Sequence, residues 1–174
     1  MSTTTIDDQL VEIRRRIDRL QSRARTDAPR IWRHLDALGE AEAAVRAALR
    51  QDAVDEVEET LAQLKTRLDI AERSLEADAS DDWPTFAAAV EAELRSWDTY
   101  LERLQTSVAA RAWKTREQAE TAIGEVRSRR IAVGERLAQA PPSTGTPSQN
   151  ARKRITAARN ELDKRAAELS TKLN

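Results

Sequence analysis

The stretch IDDQLVEIRRRIDRL, residues 6–20, decides the fold class: Ile6, Leu10, Ile13, Ile17 and Leu20 repeat at a strict 4-3-4-3 spacing. An α-helix brings residues three and four apart onto one stripe, so this pattern is the narrow a/d seam of a coiled coil. Arg14, Arg15, Arg16 and Arg19 crowd the rest of that surface. Thr4 and Thr5 read as capping side chains for this helix, with Asp7 and Asp8 three residues on, near its positive end.

Working outward, Thr26, Asp27, Ala28 and Pro29 offer a capping side chain and a first-turn proline, so a break is expected there. The next seam is Ile31, Leu35, Leu38, Val45 and Leu49. It has one defect, because Glu42 holds the register position between Leu38 and Val45, with Ala41 beside it. A further seam, Val54, Val57, Leu61, Leu64, Leu68, Ala71 and Leu75, is out of phase with the previous one. Residues 50–53 lie at the slip, with Asp52 as a candidate N-cap. Two readings fit: a short helical hairpin, which is preferred, or a coiled-coil stutter within one continuous helix.

Asp81, Asp82 and Pro84 mark the next boundary. Phe86, Val90, Leu94, Trp97, Leu101, Leu104 and Val108 follow at helical spacing, and Ile123, Val126, Val133 and Leu137 resume it. No glycine or proline intervenes before Gly124, so one helix over about 83–138, roughly 80 Å long at about 1.5 Å per residue, is preferred to a second break near 109–115, which no turn residue marks. Residues 139–149, QAPPSTGTPSQ, hold three of the five prolines and no charge, and read as a flexible linker. Ile155, Ala158, Leu162, Leu169 and Leu173 give a weaker stripe to a basic C-terminal helix over 150–174, expected to pack on 109–138.

The predicted architecture is all-α: an elongated antiparallel coiled coil or three- to four-helix bundle with one long helix. Its helices fall at about 4–26, 28–50, 53–78 and 83–138 within a unit spanning 1–138, followed by the linker and the C-terminal helix. The first helix either folds back at Pro29 into its own bundle, the preferred reading, or completes the helices of another molecule.

Composition agrees. Ala, Glu, Lys, Leu and Arg make up 92 of the 174 residues, the signature of long helices and coiled coils. The absence of cysteine rules out disulfides and thiolate chemistry, and the single histidine, His34, removes most histidine-based constellations. Charged residues at 34 % and no long apolar run exclude a membrane-spanning segment. The start, MSTTTIDDQL, has neither a basic nor an apolar region of a secretory signal, so the cytoplasm is the expected location.

The net charge of −1 hides a partition: +2 over 1–51, −10 over 52–105 and +7 over 106–174. The basic third is expected to face the acidic middle of its own or another chain, to meet a polyanion, or to form an ordinary solvated helix surface. His34 has Ala37 and Leu38 at i+3 and i+4, so its own helix supplies no second ligand or catalytic partner. The carboxylates Asp55, Glu56, Glu58 and Glu59 lack both the glycine of a calcium loop and a Glu-x-x-His partner, and read as a solvated face. No catalytic residue, metal site, cofactor or small-molecule substrate is expected, and no enzyme.

The expected function is a structural or adaptor protein acting through coiled-coil association with itself or another helical protein. Ile6, Leu10, Ile13, Ile17 and Leu20 are the candidate partner-binding seam. The alternative is binding to nucleic acid or an anionic membrane surface through the basic third, with Arg152, Lys153 and Arg154 at its densest point.

Overall fold

The computed structural model describes residues 3–24, 29–109, 113–140 and 149–173. They form six helices: α1 (Thr3–Ala24), α2 (Pro29–Arg50), α3 (Val54–Ala79), α4 (Trp83–Ala109), α5 (Trp113–Gln139) and α6 (Gln149–Leu173). No strand occurs among the described residues, and no helix among them is long and apolar enough to cross a membrane. The chain is an all-α helical bundle.

Helix ends follow local chemistry, with corrections. Thr4 and Thr5 lie inside the first turn of α1 rather than ahead of it. Pro29 opens α2, where its missing N–H is harmless. Residues 26–28, the proposed cap, lie outside the described residues, as do 141–148 of the linker. Asp82 caps α4: the Thr85 N–H donates to its Oδ2 at 3.0 Å and the Thr85 hydroxyl at 2.8 Å. These bonds, the backbone one foremost, hold the Asp82 carboxyl below its ordinary range.

The slip at 50–53 is a hairpin, and Asp52 works at the opposite end from the one expected. It adopts φ 51°, and its N–H donates to Leu49 O at 3.3 Å. The Ala53 N–H reaches back to Ala48 O at 3.2 Å. This pair of bonds is the Schellman closure of α2, with Asp52 at its left-handed position. At the start of α3, Ala53 supplies no side-chain cap.

Two large hydrophobic cores share α3, and a small third cluster of Ile6, Ala48 and Val57 lies near its start. In one, Ile13, Ile17 and Leu20 of α1 pack with Ile31, Leu35, Leu38 and Val45 of α2 and Leu61, Leu64, Leu68, Ala71 and Leu75 of α3. The defect at Glu42 is a tie point, because its carboxylate accepts from Arg14 of α1 at 3.0 Å and from Arg46 at 2.6 Å. In the other core, Ile70 and Ala77 on a second face of α3 join α4, α5 and α6, with Phe86, Trp97, Ile123, Val126, Ile155 and Leu162 buried.

The single helix expected over 83–138 is two, α4 and α5, of 27 residues each and so about 40 Å long. They pack antiparallel: Arg130 pairs with Asp98 at 2.7 Å, and Arg127 donates to Gln105 at 3.0 Å. A straight helix would leave the seam of Ile123, Val126 and Val133 without α4 to cover it. Folding back buries all three, and apolar burial outweighs the lack of any turn residue in the sequence.

Backbone chemistry gives a reciprocal prediction. Asp52 holds a position that suits glycine, whereas an added Cβ at the helical Gly124 would meet nothing within 4 Å. Asp52→Gly and Gly124→Ala should each raise stability by about 0.5–1 kcal/mol in urea unfolding, additively. A loss of stability in either variant would contradict these assignments.

Candidate functional site

Helices α2, α3, α4 and α6 each place charged or polar groups on a buried face, and these groups meet. Arg159 is 0 % exposed, Glu93 1 %, His34 1 %, Asp163 4 % and Arg30 8 %. The Arg159 guanidinium pairs with Glu93 Oε2 at 2.7 Å and Asp78 Oδ1 at 2.9 Å. It also donates to the carbonyl and hydroxyl oxygens of Ser74, at 3.2 and 3.1 Å. Arg30 donates to Asn160 Oδ1 at 2.6 Å and to the Thr156 carbonyl at 2.9 Å, and it stands 3.4 Å from both Asp163 and Asp78. His34 Nε2 is 3.4 Å from Asp163 Oδ1.

The spacing that produces this network is legible afterwards. Arg30 and His34 flank Ile31 on the core face of α2, Glu93 lies between Val90 and Trp97, and Arg159 and Asp163 fall one turn apart beside Leu162. Each interrupts an apolar stripe. The neighbours of His34 come from α4 and α6 rather than from its own helix.

Burial pushes the Glu93 carboxyl above its ordinary range against the opposing pull of Arg159. Burial acts on Asp163 in the same sense, but His34, Arg30 and Arg159 outweigh it and hold that carboxyl below its ordinary range. Burial also opposes charge on Arg159, yet Glu93 and Asp78 overcome it and keep the guanidinium charged. On Arg30 burial prevails, reinforced by the charge of Arg159.

With His34 neutral, three carboxylates face two guanidiniums, a net charge of −1 in a medium that penalises it. One proton balances the network. Its acceptor is Glu93, whose Oε1 has no hydrogen-bond partner among the described residues and whose carboxyl burial pushes up; neither His34 nitrogen has a hydrogen-bond partner among them. His34, Glu93 and Asp163 also offer ligand atoms within 4.8 Å of one another. A divalent cation there would sit beside two guanidiniums and overshoot the balance to +1, so the residues suit a proton better than a metal.

The residues singled out in the sequence fall elsewhere. Ile6, Ile13, Ile17 and Leu20 are buried and Leu10 is half-buried, all against α2 and α3 of the same chain. The stripe is covered in cis, because α2 and α3 present matching seams next to it. Arg152 is half-buried. It donates to the terminal carbonyls of α3 at Ser80, Ala77 and Asp78, and stacks 4.5 Å from the Phe86 ring. It is thus a helix cap rather than a free cation, while Lys153 and Arg154 stay exposed. Compared with protein-family models, curated proteins and solved structures, the chain matches none of them.

The linkage signs differ between the two carboxyls. Glu93 binds its proton more tightly when folded, so its contribution to stability is complete below its ordinary value and is lost as pH rises through the raised native value. The Asp163 contribution is present above its ordinary value and is lost as pH falls through the lowered native value. Glu93→Gln should therefore flatten the alkaline side of the stability–pH curve and leave the acid side in place. Parallel curves for the variant and the parent would refute the assignment. Arg159→Leu, which strands Glu93, should cost about 3–5 kcal/mol in urea unfolding at neutral pH.

Proposed function

We propose that this protein is a non-enzymatic, cytoplasmic scaffold or adaptor acting through helix–helix association, with α1 as its exchangeable helix and a second copy of the chain as its partner. The observation behind this reading is the separation of the two cores. Among the described residues α1 packs only on α2 and α3, while the core of α3, α4, α5 and α6 is built without it. The groove that α1 occupies is defined by a/d spacing, so any helix with a matching apolar stripe fits it.

Polar ties add little to the hold on α1. Arg16 reaches Asp69 at 2.7 Å and Glu72 at 2.8 Å, and Arg14 reaches Glu42, but these pairs stand at or near the surface. Such pairs contribute only about 0–1 kcal/mol each. α1 is accordingly the helix that opens most readily, and an opened α1 exposes two complementary seams at once. The polyanion reading keeps only Lys153 and Arg154 of its three residues, because Arg152 is taken up at the end of α3.

Light scattering after gel filtration tests the proposal. The full chain should show a concentration-dependent dimer that survives high salt, because an apolar stripe holds it. Replacing Leu10 and Ile17 together by glutamate should abolish the dimer and leave the near-ultraviolet circular dichroism of the second core intact. A monomeric mass at every concentration would overturn the proposal.

A further inference from the structure

Arg67 of α3 is 6 % exposed, yet its guanidinium forms no ion pair or hydrogen bond among the described residues. Its Nη1 is buried without a partner. The guanidinium instead lies 4.8 Å from the centre of the Trp97 ring and 5.3 Å from that of Tyr100. Ring faces attract the cation but do not accept its in-plane N–H groups, which are left to find an acceptor elsewhere. Buried charges in proteins are paired, and this one is not.

The same side chain lines a cavity of about 220 Å³. It opens between α2, α3, α4 and α6, below the range of about 300–1,000 Å³ that drug-sized ligands occupy, so its occupant is small. Ala41, Leu104 and Val108 form an apolar wall, and Gln63, Ser107 and Ser170 add polar groups. Among the described residues that line it, Glu40 is the one acid and Arg67 the one cation.

We infer that this cavity binds a small organic monocarboxylate, with its carboxylate on the Arg67 guanidinium and its hydrocarbon body on the apolar wall. The planar fork of an arginine matches a carboxylate through two parallel hydrogen bonds. A single cation balances a single negative charge. A phosphate dianion would keep one charge unmet and face Glu40 across the cavity. The inference is independent of α1 and of any dimer, because α1 lines no part of this cavity.

Thermal unfolding at constant ionic strength tests it, with benzoate and inorganic phosphate as probes. Benzoate at about ten times its Kd should raise the Tm of the full chain by about 3–6 °C, saturably, and phosphate should do less. Arg67→Met, which keeps the length and removes the charge, should abolish the benzoate shift. Should that variant fail to fold, Ala41→Leu keeps Arg67 in place, fills the cavity and should abolish the shift in the same way. An equal shift in parent and variant, a larger shift with phosphate, or no shift with either probe would overturn the inference.

Discussion

A fully buried guanidinium needs acceptors on every side, and Arg159 finds all of its own on helices to which it does not belong. From α6 it reaches Ser74 and Asp78 of α3 and Glu93 of α4. Asp78 in turn faces Arg30 of α2, so one hydrogen-bonded network ties four helices. Such a network adds little net stability over well-packed apolar residues, since desolvation offsets most of the Coulombic gain. Its effect here lies in register. The seam between α5 and α6 includes Ala119, Ala122, Ala158 and Ala166, small side chains that discriminate poorly between positions one turn apart. Arg159 meets its acceptors in one register only.

The apolar part of this design was legible in the sequence, because a large side chain at a/d spacing reports its own burial. The seams of α1, α2 and α3 are buried along most of their length. Two kinds of information were not legible. The fold back between α4 and α5 has no glycine or proline to announce it, and follows from where α5 finds apolar cover. The partners of His34 lie on α4 and α6, and no spacing within α2 encodes them. Asp52 shows a subtler ambiguity. A short polar side chain at a helix junction suits either an N-cap or a left-handed C-terminal position, and only its φ of 51° decides between them.

A second stripe on α3 was present in the sequence but carried little apolar signal. Arg67, Ile70, Ser74 and Ala77 follow the same 3-4-3 spacing as its main seam, and all four are buried. Two of them are polar, which hides the stripe from any search for hydrophobic periodicity. That stripe makes α3 the shared helix of both cores. It also carries the two groups that most need company: Ser74, which accepts from Arg159, and Arg67, which has only aromatic rings beside it.

The charge partition along the chain acquires a physical meaning from these contacts. Basic residues of α5 and α6 meet acidic residues of α3 and α4 within the molecule: Arg130 with Asp98, and Arg159 with Asp78 and Glu93. The two attachments of α2 therefore differ in kind. Toward α1 and α3 it is held chiefly by an apolar seam, with Arg14–Glu42 and Arg30–Asp78 as polar ties. Toward α6 it is held by Arg30 and His34 against Asn160 and Asp163. Asp163, whose contribution is lost as pH falls through its lowered native value, makes the contact between α2 and α6 the side of α2 that weakens under acid conditions.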